Sequence, residues 1–379
     1  MKITEIVVDI IERNLDFVGD NVFQASGVTG GIVHQGILRI KTEAGIEGNC
    51  IIGQHRGDSL QKINSIKKFT SYLNNKSVFS TNDLWDFING VPKFSINRFS
   101  DDDYSAYSSI DVALWDVKGK LLKLPVYSLL GGKNKKIKAY GTYQPRHNDP
   151  EGYVKESEEI KNLNLKAYKI HPGPLETNKA IKMVNDVRKN LGKNFTLMLD
   201  PNNSYDLKKS LAIGKALDEN DFFWFEDPIN WHDFKNIEIL GSNLITPLAM
   251  TDQADFRFKE IDLYSRNSYP QILRGTTRKL GITGLMKACA VAESSKKLCE
   301  IGTGGNIFFN MANIHVTSSI NNCNFYEYWM PTTTSDFATI EKIQLDKDGN
   351  VSAFDKPGLG ISLDENWIQD NMLDKIKLI

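Results

Sequence analysis

The chain lacks a charge imbalance: 46 Lys and Arg stand against 47 Asp and Glu over 379 residues, a formal net charge of −1. That balance gives no general field to attract nucleic acid or an anionic membrane. Lysine-rich pieces such as "GGKNKKIK" at 131–138 are expected to be solvated turns. Long apolar runs are missing too, so no membrane span is expected, and the start "MKITEIVVDIIERN" alternates charge and hydrophobe without a cleavable apolar core. Cysteine is scarce. Cys50, Cys289, Cys299 and Cys323 show no paired or metal-type spacing, and three of them sit in apolar stretches. Buried thiols in a reducing compartment, and so a cytoplasmic protein, are the expectation. A dinucleotide cradle is also lacking: "KLCEIGTGGN" at 297–306 has glycines without the GxGxxG spacing, so no nucleotide is expected there.

What is present is a globular composition, 41% hydrophobic and 25% charged, in a chain too long for one ordinary domain. Residues 1–55 predict strands: "ITEIVVDII" and "GIVHQGILRIKT" are rich in β-branched residues, with a polar glycine-rich loop between them. From about 58 the pattern turns helical, with apolar residues at three- and four-residue steps in "DSLQKINSIKKFTSYL" and "YSSIDVALWDVKGKLL". After Lys136 short apolar runs alternate with helix-like segments: "KIKAYGTY", "KAYKIH", "FTLMLD", "FFWFED", "LITPLAMTD", "QILRGTT", "KLCEIGT" and "CNFYEYW". Eight such repeats predict a closed parallel (β/α) barrel. The expected fold is therefore α/β, a TIM-type barrel of about eight strands with an N-terminal α+β capping domain. The boundaries are set at 1–130 for the cap and 131–340 for the barrel, with 341–379 returning to the cap.

Polar residues at the C-terminal ends of barrel strands face the mouth where active sites form. Those ends carry Lys169 and His171, Asp200, Glu226, Asp252, Thr276, Gly302 and Glu327. From Asp200 onward the intervals are 26, 26, 24, 26 and 25 residues, one βα unit each. Three carboxylates from successive strands repel one another in a small volume and call for a cation. All-oxygen ligation favours a hard ion, and one Mg²⁺ per subunit suits a trio that leaves positions open for substrate and water.

In combination, "IDVALWDVKGKLLKLPVYSLLGG", "LMLDPNNSY", "WFEDP", "TPLAMTDQ", "GITGL", "NIHV" and "KPGLGISLD" resemble the enolase superfamily, in its mandelate racemase-like branch of acid-sugar dehydratases and racemases. The resemblance covers nearly the whole chain. It implies Asp200, Glu226 and Asp252 as Mg²⁺ ligands, the last where glutamate is more usual. It also implies a reaction class: a base removes the proton α to a substrate carboxylate, the metal stabilises the enediolate, and the β-hydroxyl leaves as water. In "KAYKIH", Lys169 matches the first lysine of a Lys-x-Lys motif and His171 stands where the usual base would be, so either is a candidate base. Glu327 matches an acid that bonds the substrate carboxylate, or else pairs with a buried arginine.

Gly302 and Thr276 stand where related sequences place a His–Asp dyad, so the second catalytic face is missing and a space about the size of an imidazole is expected beside the metal. The implied activity is a sugar-acid dehydratase, a hydro-lyase; the alternatives are a binding or regulatory protein without turnover and a one-base cycloisomerase. Asn202, Gln253 and Arg274 near the strand ends are candidates for binding the substrate, together with Arg56, which is either a substrate contact or a surface charge. The loop 17–31 and His55 are further candidates for setting specificity. A small carboxylate substrate and a homo-oligomer are the partners the resemblance implies.

Overall fold

The computed structural model describes residues 1–15, 31–54, 57–90, 99–254 and 258–379. Arg56, His55 and all of the 17–31 loop except Gly31 lie outside the described residues.

The N-terminal part is an antiparallel sheet of β1 (Ile3–Leu15), β2 (Gly31–Thr42) and β3 (Glu47–Ile52), covered by α1 (Leu60–Leu73), α2 (Thr81–Asn89) and α3 (Asp101–Leu122). The β-branched residues of β1 and β2 bury almost without interruption, as expected of a strand packed against helices. α3 begins at a capping box: Asp103 N donates to Ser100 Oγ at 3.3 Å and Ser100 N donates to Asp103 Oδ2 at 2.8 Å.

α3 is the post on which the molecule is assembled. Asp111 accepts from Thr283 N at 3.0 Å and Thr283 Oγ1 at 2.6 Å, tying the helix to the barrel. Asp116 accepts from Asn49 N at 3.0 Å and from Leu359 N at 2.9 Å, tying it to β3 and to the tail. Gly281 makes the first contact possible: its φ is +63°, and a Cβ there would stand 2.5 Å from Asp111 Oδ2.

After the short α4 (Val126–Leu129) come β4 (Ile137–Thr142), α5 (Pro150–Asn162), β5 (Ala167–Ile170), α6 (Thr177–Leu191), β6 (Thr196–Leu199) and α7 (Leu207–Glu219). Then follow β7 (Trp224–Glu226), α8 (Phe234–Asn243), β8 (Leu248–Met250), α9 (Phe258–Ser265), β9 (Ile272–Gly275), α10 (Thr277–Ser294), β10 (Leu298–Ile301), α11 (Ile307–Thr317) and β11 (Phe325–Trp329). β4 to β11 lie parallel in the order β10-β9-β8-β7-β6-β5-β4-β11, a nearly closed barrel of eight strands. This is the predicted architecture, and every proposed strand segment contains one.

No ladder joins β10 to β11 among the described residues; one backbone bond, from Cys299 N to Asn322 O at 2.7 Å, and a side chain span the seam. The buried Glu300 carboxylate accepts from Asn324 N at 3.0 Å and Phe325 N at 3.2 Å, fixing the start of β11. The tail adds β12 (Asn350–Val351) antiparallel to β4, then α12 (Glu365–Asn371) and β13 (Met372–Lys377), which pairs antiparallel with β1.

His315 on α11 ties three parts of the chain together. Tyr127 N donates to its Nδ1 at 3.1 Å, so Nε2 carries the hydrogen that faces Leu359 O at 3.3 Å. Burial pushes the ring down to about 4, against the pull of the Leu359 carbonyl. An unfolded histidine binds its proton near 6.5. Between the two values the unfolded chain holds more protons, so stability falls as pH drops from about 6.5 to about 4, by about 3 kcal/mol from this ring alone. Thermal melts of wild type and His315→Asn across that range should show a shallower acid loss in the variant; parallel curves would remove His315 from the account.

Candidate active site

The barrel interior is built in layers with the strand period of two. One apolar layer consists of Tyr140, Ala167, Met198, Trp224, Ala249, Ile272 and Phe325. Two residues further along their strands stand Thr142, Lys169, Asp200, Glu226, Thr251, Arg274 and Glu327. The polar layer thus sits directly above the apolar one, at the C-terminal end. His171 is a further step of two beyond Lys169.

All of these polar side chains are buried. Lys169 Nζ lies 3.1 Å from Asp200 Oδ2, 3.1 Å from Glu226 Oε2 and 3.2 Å from Glu327 Oε1. Arg274, 0% exposed, donates through Nε to Glu226 Oε1 at 2.9 Å and through Nη2 to Glu327 Oε2 at 2.7 Å. Its Nη1 donates to Glu300 O at 3.1 Å, and Nη2 also reaches the Tyr140 hydroxyl at 3.0 Å. Arg274 therefore spends its donors inside the barrel wall. Glu327 also accepts from Tyr140 and from Thr303 N, so it is paired with a buried arginine.

Electrostatics follow from the packing. Burial, with Asp200 and Asp252 on either side, pushes the Glu226 carboxyl well above the usual range despite Arg274 and Lys169. Asp200 pays for burial as well, yet Lys169 and His171 hold it well below the carboxylate range. Burial likewise opposes the charge on Asp252, but Lys279, Arg274 and Lys169 keep that carboxyl low.

Asp252 leaves the alternation, because Thr251 takes a left-handed φ of +87°. Its carboxylate swings toward the seventh strand, where a Cβ built on Gly302 would meet Asp252 Oδ1 at 2.7 Å and Arg274 Nη2 at 3.3 Å. The imidazole-sized space expected from the sequence is thus filled by Asp252 and Arg274. Thr276 caps α10: Arg278 N donates to its hydroxyl at 3.4 Å, and the hydroxyl donates to Thr303 O at 3.1 Å. At the rim, Gln253 Nε2 donates to Asn202 Oδ1 at 2.9 Å, while Asn202 N donates to Asp200 Oδ1. The sequence reading missed Thr142 and Tyr140; the two-residue step along β4 was the available signal.

Residues 23–131 match the mandelate racemase/muconate lactonizing enzyme N-terminal domain, and residues 152–367 match the enolase C-terminal domain-like family. The chain belongs to the enolase superfamily, in its mandelate racemase/muconate lactonizing enzyme branch. It is 26% identical over 266 residues to the arabinonate dehydratase of Saccharolobus solfataricus, covering 69% of this chain and 71% of that one. It is 25% identical over 367 residues to a D-mannonate dehydratase of Caulobacter vibrioides, covering 87% and 89%. The crystal structure of D-glucarate dehydratase from Agrobacterium tumefaciens, complexed with magnesium, superposes with a TM-score of 0.85 at 25% identity, over 99% of this chain and 100% of that one.

In this superfamily member the donor set is chemically suited to a hard divalent cation: three carboxylates at or just past successive strand ends, with Glu226 raised by burial and by the other two. Among the described residues no three His, Cys, Asp or Glu side chains are drawn together as a cation site. Lys169 Nζ bridges Asp200 and Glu226, so a cation would compete with the ammonium for the same oxygens.

Proposed function

We propose that this chain is a Mg²⁺-dependent sugar-acid dehydratase, with Asp200, Glu226 and Asp252 as metal ligands and His171 as the base. The observation that carries the reading is the single buried polar layer of Lys169, Asp200, Glu226 and Glu327 with His171 above it, in a member of a superfamily whose named relatives here are sugar-acid dehydratases. When bound, Mg²⁺ would act as a Lewis acid toward the substrate carboxylate.

The rest is work for the chain itself. Lys169 has three ammonium hydrogens and three carboxylates around it, so it is a fixed positive charge and has no lone pair for a proton. His171 remains as acceptor. It takes the α-proton; the electron pair of that C–H bond moves toward the carboxylate; the β-hydroxyl then leaves as water on receiving a proton. With glycine at 302 and a hydrogen-bonded threonine at 276, the His171 imidazolium is the group that returns this proton, so both transfers occur on one face. The enol left behind becomes a 2-keto-3-deoxy acid.

The test is incubation in D₂O with Mg²⁺ and a panel of sugar acids, following C2 deuteration and keto-acid formation by NMR. Neither signal from any member of the panel, with Mg²⁺ bound, would leave a binding protein as the better account. For the ligand assignment, Glu226→Gln should lower Mg²⁺ affinity strongly in calorimetry while the fold survives; unchanged affinity would sink it.

A further inference from the structure

Thr142 closes β4, is fully buried, and sits against both members of the Lys-x-His pair. Its Oγ1 lies 2.9 Å from the Lys169 carbonyl oxygen and 2.9 Å from His171 Nδ1. A hydroxyl owns one hydrogen and two lone pairs, and a carbonyl oxygen only accepts. The Thr142 hydrogen therefore goes to Lys169 O. What remains toward the ring is a lone pair, which needs a hydrogen on Nδ1; an unprotonated Nδ1 would set two lone pairs face to face at 2.9 Å.

Other contacts hold the ring in this pose. The Tyr153 hydroxyl donates to the His171 carbonyl at 2.9 Å, and the Trp329 ring packs on the imidazole with centroids 5.4 Å apart. Nε2 points into the carboxylate layer, 3.1 Å from Asp200 Oδ2. A carboxylate oxygen only accepts, so this contact is a hydrogen bond only while Nε2 carries a hydrogen as well, and it is that hydrogen, not the one on Nδ1, that the ring gives up to act as a base.

We propose that Thr142 is a positioning residue that fixes His171 as the Nδ1–H tautomer and so confines its proton transfer to Nε2. The role rests on the dehydratase reading above, in which His171 is the base, but the tautomer itself does not. One hydroxyl on the first barrel strand thus orders both functional residues of the second, the lysine through its carbonyl and the histidine through its ring. Valine at 142 keeps the shape and loses the selection; serine keeps the hydroxyl.

The experiment uses the full chain labelled with ¹⁵N-histidine, recorded at a pH where the ring is neutral, with the His171 signal assigned by its loss in His171→Asn. Long-range ¹H–¹⁵N correlation should find Nδ1 protonated in wild type and in Thr142→Ser, and a mixture or the Nε2–H form in Thr142→Val. With an active substrate, Thr142→Val should lower kcat for α-proton exchange on the order of 10–100-fold, the usual scale for losing a partner that orients a functional ring, with KM nearly unchanged and serine restoring it. Wild-type His171 protonated on Nε2 with Nδ1 bare would overturn the proposal, and so would a Thr142→Val protein with the wild-type tautomer. A chain with no lyase activity but the Nδ1–H tautomer would refute the dehydratase reading while upholding the part played by Thr142.

Discussion

His171→Asn should lower α-proton exchange by at least 10²–10⁴-fold, the range a general base contributes, while leaving the melting temperature close to wild type. Asparagine keeps a polar side chain at the buried site, and the Tyr153 hydroxyl bond to the backbone carbonyl of residue 171 survives the substitution. Lys169→Met should lose as much activity and behave differently in a melt. It removes the ammonium that bridges Asp200, Glu226 and Glu327, leaving Arg274 as the cation on the two glutamates and His171 beside Asp200, and removing one partner of a buried ionic network costs about 3–5 kcal/mol. Because proton transfer is confined to one face, wild type should exchange only one configuration at the α-carbon. Similar rates for both epimers of one sugar acid would mean a second base exists. Retained exchange in His171→Asn alongside a folded but dead Lys169→Met would transfer the base to Lys169.

Gly302→His, alone or with Thr276→Asp, should damage the site rather than rebuild a second catalytic face. From the sequence alone the glycine suggests room for an imidazole, and the double variant is the natural attempt to restore exchange from the opposite side. The structure fills that room. A Cβ at 302 comes within 2.7 Å of Asp252 Oδ1, which must move, and 3.3 Å of Arg274 Nη2. Displacing a carboxylate proposed to bind the ion should weaken Mg²⁺ affinity together with exchange, and Gly302→Ala should show a milder form of both defects. A Gly302→His protein with wild-type Mg²⁺ affinity would show that Asp252 has room to retreat, and this account would then fail.

The barrel was legible because each strand is a short apolar run ended by a polar residue, and the spacing of one βα unit survives in the numbering from Asp200 to Glu327. The motif "IDVALWDVKGK" was legible as a signature, though not for what it does: Asp111 and Asp116 join the helix to Thr283, Asn49 and Leu359, partners far along the chain. Arg274 shows where local reading ends. A charged residue near a strand end looks like a substrate contact, but it lies two residues past the inward Ile272, and its partners Glu226 and Glu327 are 48 and 53 residues away. Asp252 was placed at the right strand end, but the left-handed turn at Thr251 that aims it toward Gly302 has no sequence signature, since threonine rarely adopts that φ. The strand at 372–377 was missed because "NMLDKIKLI" is short, mixes apolar and charged residues without alternation, and is mostly exposed; only the free edge of β1 makes it a strand.

That last pairing bears on synthesis. β1 and β2 can join as soon as residue 42 has emerged from the ribosome, but the strand that covers the other edge of β1 begins at Met372. At 5–20 residues per second, the open edge waits on the order of tens of seconds while the entire barrel is made. An uncovered edge strand rich in valine and isoleucine invites pairing with another chain. The β1 edge is therefore open from the time β2 pairs with it until a strand more than three hundred residues further along the chain arrives to cover it.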